Sequence, residues 1–290
     1  MSRSHIQKVA RKFQRKTQRS AYTSPPSSAP ARNTEPESET EAQLRAALEK
    51  MELANKVQSG FISVVSHEFR STLAGIQGFS ELLRDRNMEP DKTREFATII
   101  YNDARRLDAV INDLLDLERM MIGQTIPDLA TVDLSALLTE AAEKARELSQ
   151  NHTIHLRFEP SLPSLAGDQE LLLQMCTHLL SNAIKYAPNG GEIQVDAQVA
   201  AGMVHIVFHD QGIGIPAESL EDIFMPFRRV KSPQTRTVKG AGLGLSLVQQ
   251  IVFLHHGKIW IESTPDVGST VHISLPWIDP ANLEEEKRES

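Results

Sequence analysis

The chain has 290 residues, 40% hydrophobic and 24% charged, the balance of a globular protein with room for about two domains. Its net charge of −7 argues against nucleic acid as a main partner, and its single cysteine, Cys176, excludes an internal disulfide and a cysteine-based zinc cluster. No apolar run reaches the ~18–20 residues that cross a bilayer, and no charged segment followed by an apolar core marks a secretory signal, so no transmembrane segment and a cytoplasmic location are expected.

Residues 1–33 carry Arg3, Lys8, Arg11, Lys12, Arg15, Lys16, Arg19 and Arg32 and no acidic residue, and a Pro- and Ser-rich stretch that turns acidic follows. Such a segment buries too little apolar surface to offset its ordering entropy, so residues 1–40 are expected to be a disordered, solvated tail. Contact with anionic lipid or nucleic acid, or service as an organelle transit peptide, are the less favoured readings of its basic part.

From Glu41 the pattern turns helical. Leu44, Leu48, Val57, Phe61 and Val64 sit among charged residues, and the run continues through His67 to about Arg86 with Leu73, Ile76, Phe79 and Leu83 on a stripe. "NMEPD" breaks it, because Pro90 disfavours helix at Glu89 and suits the first turn of a new one. In the second segment Phe96, Ile100, Asp103, Leu107, Val110, Leu114, Leu117 and Met121 alternate spacings of four and three, a heptad seam interrupted only by Asp103. Two helices joined by a short loop form an antiparallel hairpin over 41–122. One hairpin cannot cover both apolar stripes, so a homodimeric four-helix bundle is expected.

"GQTIPDLATVDL" reads as a linker, assigned to 123–133. Beyond it, helices are predicted near 135–150, 168–187 and 243–255. Strands are predicted at Ile154/Leu156/Phe158, Ile193/Val195/Ala197/Val199, Val204/Ile206/Phe208, Ile259/Ile261 and Val271/Ile273/Leu275. "AAG" at 200–202 suggests a hairpin. One helical layer on a half-buried sheet is the economical arrangement for 134–278, leaving 279–290 as a charged tail.

Four stretches in this second domain carry chemistry. "HLLSNAIKYAP" (178–188) sets His178, Asn182 and Lys185 close on one helix face. "DQGIGIP" (210–216) ends a strand with Gly212 and Gly214, which permit backbone geometries that other residues avoid. "IFMPFRR" (223–229) holds the aromatics Phe224 and Phe227. "GAGLGLSLV" (240–248) is a glycine loop opening a helix, where backbone N–H groups can hold phosphate. Each has an ordinary structural explanation alone; their order and separation carry the information.

Together these stretches resemble the N, G1, F and G2 boxes of the sensor histidine kinases of two-component signalling, and "SHEFR" on the preceding helix resembles that family's phospho-acceptor H box. The resemblance covers roughly residues 55–277. It implies a dimerising helical hairpin followed by a two-layer α/β sandwich of the Bergerat type, that is, α plus α/β. It also implies a kinase that uses ATP and Mg²⁺, phosphorylates its own His67, and passes the phosphoryl group to an aspartate of a response-regulator receiver domain.

The roles carry over by motif position. His67 would be the nucleophile; a neutral imidazole offers a free lone pair at cellular pH, and Glu68 would orient it. Asn182 would hold the metal, a hard cation that favours oxygen. Lys185 would contact phosphate and Tyr186 would line the pocket. Asp210 would accept a hydrogen bond from the adenine amino group, with Gly212 and Gly214 admitting the base. Arg229 would lie near the transferring phosphate within a lid over 225–242, and Gly240, Gly242 and Gly244 would surround the phosphates. Ser71 stands where relatives carry the Thr or Asn that places water for dephosphorylating the partner. Thr72 stands where a helix-bending proline is usual, and His178 where Asn is common.

Two other readings compete: an ATPase of the same nucleotide-binding fold, as in gyrase, mismatch repair or heat-shock chaperones, and a degenerate scaffold. The hydrolases activate water with a glutamate four residues before the metal-binding asparagine, a position held here by His178. The intact Asn182, Asp210 and glycine boxes oppose the scaffold. Input is expected from an upstream sensor protein or from residues 41–66.

Overall fold

A helical hairpin leads into an α/β unit with three helices on one face of a five-stranded sheet. The computed structural model describes residues 66–85, 88–158, 162–230, 234–235, 238 and 240–277. The expected tails, the first part of the hairpin (41–65), and residues 231–233, 236–237 and 239 of the expected lid lie outside the described residues.

Helix α1 spans Ser66–Asp85 and α2 spans Pro90–Met121. Pro90 begins α2, where its missing N–H costs nothing, and Asp91 in the first turn complements the helix dipole. Phe79 packs on Phe96 with ring centroids 5.1 Å apart. The polar break in the seam has a geometric reason: Asp103 faces Gly75, where an added Cβ would lie 2.9 Å from Asp103 Oδ2. Thr72, in place of the expected proline, is buried within unbroken helix.

Helix α2 ends on Gly123 at φ 73°, with Gly123 N–H bonded to Met120 O (3.1 Å) and Gln124 N–H to Arg119 O (2.9 Å). This paired closure satisfies the last carbonyls and needs a left-handed residue, which glycine supplies. The C-terminal seam of α2 has a second partner. Leu117 is 0% exposed, and Val110, Leu114 and Met121 pack with it against the α/β core, where α2 contacts helix α5 (Gly244–Leu254).

The predicted linker is not wholly irregular. Strand β1 (Ala130–Val132) pairs antiparallel with β3 (Leu165–Gly167). Three residues carry no readable alternation, and the partner lies far along the chain. Helices α3 (Leu134–Leu148) and α4 (Gln169–Lys185) start on aspartate caps: Asp133 accepts from Ala136 N–H (3.0 Å) and Asp168 from Leu171 N–H (3.1 Å).

The remaining strands are β2 (His152–Phe158), β4 (Gly191–Ala200), β5 (Met203–Asp210), β6 (Lys258–Thr264) and β7 (Gly268–Pro276), in the order β2-β4-β5-β7-β6. Among these described strands, only β2 and β4 run parallel. Inward residues alternate as predicted, with Ile193, Val195 and Ala197 on β4 and Val204, Ile206 and Phe208 on β5 buried beneath the helices. Ala201 and Gly202, both at positive φ, close the predicted hairpin between β4 and β5. Among the described residues, no helix is long and apolar enough to cross a membrane.

Candidate active site

The C-terminal end of α4, the end of β5, the loop before α5 and one face of α2 enclose a cavity of about 370 Å³, within the range of small-molecule sites. Asn182, Lys185, Tyr186, Asp210, Gly214, Arg229, Gly240, Gly242 and Gly244 line it, so nine predicted residues from four separate stretches converge. Gly212 stands behind the wall: an added Cβ there would lie 2.5 Å from Tyr186 O and 2.7 Å from Asp210 Oδ1.

Asp210 ends β5, where strand pairing aims its carboxylate inward. Burial pushes its pKa up, while the Gly212 and Ser269 N–H groups and nearby His209 pull it down. Gly212 N–H donates to Oδ1 at 2.8 Å, which fixes the carboxylate as an acceptor in a partly apolar slot. Lys185 sits in the last turn of α4; burial lowers its pKa most, opposed by Asp113 and reinforced by Arg106. Burial raises the Tyr186 phenol, and Arg229 opposes the rise.

Across the cavity, α5 begins at Gly244 without a side-chain cap, so its first N–H groups are presented to an anion. The aromatic and glycine stretches touch. Phe227 takes φ 65°, costly for a bulky residue, and its N–H donates to Gly242 O at 2.9 Å. Gly242 at φ 74° leaves no room for a side chain, since a Cβ would meet Arg228 O at 2.7 Å. Arg229 donates to Val238 O, joining two described residues within the predicted lid.

This cavity combines a half-buried carboxylate, an amide, the four cationic side chains of Arg106, Lys185, Arg228 and Arg229, and a helix N-terminus. That set fits a purine nucleotide with its phosphates, and the close packing at Gly212 and Gly242 is what such a cradle requires.

His67 and Glu68 lie in the first described turn of α1, as helical backbone, and Ser71 is exposed one turn later. The contacts of Phe79 with Phe96 and of Gly75 with Asp103 set the hairpin register. Carried along two antiparallel helices, that register puts His67 level with 108–111 of α2. The α2 residues lining the cavity are Arg106, Ala109, Val110 and Asp113, the same level. Sequence reasoning did not anticipate this wall. Its residues sit at i, i+3, i+4 and i+7 on one face, but nothing local says which surface that face meets.

Residues 57–122 match the family described as His Kinase A (phospho-acceptor) domain. Residues 167–278 match that of the histidine kinase-, DNA gyrase B-, and HSP90-like ATPases. The sensor-like histidine kinase SenX3 of Mycolicibacterium smegmatis is 32% identical over 231 residues, covering 79% of this chain and 60% of that protein. The circadian input-output histidine kinase CikA of Thermosynechococcus vestitus is 34% identical over 244 residues, 82% of this chain and 34% of its own. The crystal structure of histidine kinase ThkA in complex with response regulator protein TrrA shares the fold, with a TM-score of 0.63 at 22% identity over 83% of this chain and 68% of that one. The chain thus spans 60% or less of these two curated relatives. An acceptor-domain match ahead of an ATPase-domain match, on relatives of that one kind, leads to a single conclusion: the chain belongs to the sensor histidine kinases of two-component systems.

Proposed function

We propose that this chain is an ATP-dependent protein histidine kinase that phosphorylates His67 and hands the phosphoryl group to an aspartate of a response-regulator receiver domain. The observation that carries the reading is the convergence of Asn182, Lys185, Asp210 and the glycine loop on one cavity whose α2 wall is level with His67.

Asp210 would accept from the adenine amino group, with Gly212 and Gly214 allowing the approach. Lys185, Arg229 and the N-terminus of α5 would hold the phosphates, the glycines at 240, 242 and 244 keeping side chains out of the way. Magnesium, when bound, neutralises phosphate charge, and the amide oxygen of Asn182 is the ligand this chain would offer it. The His67 imidazole would form the N–P bond to the γ-phosphorus as the bond to the ADP oxygen breaks, and Glu68 would take up the ring proton. Ser71 would place water for removing phosphate from the regulator. Leu73, Tyr101 and Leu115 of the hairpin are 43%, 60% and 41% exposed, which supports a second copy completing a four-helix bundle.

The domain plan proposed is a hairpin over 41–122, a linker over 123–133 and an ATP-binding domain over 134–278. The test is labelling by γ-labelled ATP followed by chase into a receiver domain. Asn182→Ala should fold normally yet lose magnesium-dependent nucleotide binding and label. Label retained by this variant would refute the assignment of Asn182.

A further inference from the structure

His178 and Gln174 of helix α4 both reach acidic residues of the hairpin. His178 Nε2 lies 3.2 Å from Asp113 Oδ1, both side chains mostly buried, and Gln174 Nε2 donates to Asp116 Oδ2 at 3.0 Å. The contacts run in opposite chain directions: 178 to 174 on α4 matches 113 to 116 on α2. The next turn therefore brings Asn182 and Lys185 toward Arg106 and Ala109, and all four line the cavity. That is the stretch level with His67. The other face of the His178 ring looks at the glycine loop, its Nδ1 being 3.4 Å from a Cβ built on Gly244.

We propose that Asp113 and His178 form a positioning pair that holds the nucleotide cavity against the hairpin at the level of the phospho-acceptor. This rests on the kinase reading and deepens it. One ring then touches the hairpin on one side and the start of the phosphate-binding helix on the other, one turn from the residue assigned to the metal. A shift of the cavity along α2 has to break the Asp113 and Asp116 contacts together. Phosphoryl transfer depends steeply on the placement of donor and acceptor, so the pair acts on the rate of transfer rather than on the affinity for nucleotide.

The test uses the full chain, with autophosphorylation measured in single turnovers at saturating ATP beside direct nucleotide titration. Asp113→Ala should slow transfer about tenfold while the Kd for ATP changes by less than about twofold. Asp113→Glu should recover most of the rate. His178→Ala should resemble Asp113→Ala, and the double variant should be no slower than either, the signature of coupled residues. An unchanged or faster rate in Asp113→Ala would overturn the proposal, as would additive losses or a parallel fall in affinity. Absence of label in the wild-type chain would refute the kinase reading itself; label in the wild type with an unaffected Asp113→Ala would refute the pair alone.

Discussion

Replacing Gly212 with alanine tests the nucleotide cradle where its wall meets Tyr186 and Asp210. The new Cβ would lie 2.5 Å from Tyr186 O and 2.7 Å from Asp210 Oδ1. Carbon and oxygen rest no closer than about 3.3 Å, so the wall must open by about 0.8 Å. Ile213 N–H donates to that same Tyr186 oxygen at 2.9 Å, and the opening stretches this bond beyond useful length. Losing it in a partly buried wall costs about 1–3 kcal/mol of stability. The Asp210 carboxylate must also turn from the Gly212 N–H that fixes it. Displacing the adenine acceptor should raise the Kd for ATP about tenfold or more, and discrimination against GTP should narrow. Calorimetric titration with both nucleotides and a thermal melt provide the assay. An alanine variant that melts with the wild type and binds ATP as tightly would refute the assigned wall.

His255 is buried, donating through Nδ1 to Ile251 O and accepting from Asp168 N–H through Nε2; burial lowers its pKa most, helped by His256 and opposed by the Ile251 bond and Asp168. The unfolded chain therefore takes up this proton first, so the contribution is complete above about pH 6.5 and is lost as pH falls toward the folded pKa; urea melts at pH values on both sides should show a steeper acid loss in the wild type than in His255→Gln. Cys176, its thiol pushed up to about 12 by burial, should resist a disulfide reagent in the native chain and react fully in guanidinium. Ser71→Thr should raise dephosphorylation of the phosphorylated regulator and spare autokinase activity, because the added methyl restricts the hydroxyl's rotamers; equal phosphatase rates would contradict this.

Helix and strand identities were legible wherever a period extended over several residues. Strands β4, β5 and β6 alternate over most of their length, and the helices near 134–148, 169–185 and 244–254 follow their predicted ranges closely. Asp133 and Asp168 also carry a local start signal, an acidic cap ahead of an apolar run. The pairing of β1 with β3 was not legible, because three-residue strands have no period and their register depends on a partner some 35 residues away. The cavity's nucleotide side was readable because glycine, amide and carboxylate types are chemically distinctive in order. Its hairpin side was not: Arg106 and Asp113 look like solvated charges on a helix, and only tertiary packing turns them inward. Phe227 is a similar case, since no local rule predicts φ 65° for phenylalanine without its bond to Gly242.

The central claim is that His67 is the dedicated acceptor and the cavity an independent donor site. Its most direct test compares wild type and His67→Gln for incorporation of label from γ-labelled ATP, with nucleotide affinity measured in parallel. The wild type should acquire acid-labile, alkali-stable label, and His67→Gln should acquire none while binding Mg-ATP with a Kd within about twofold of the wild type. Undiminished label in His67→Gln, or loss of nucleotide binding with the histidine, would contradict the account.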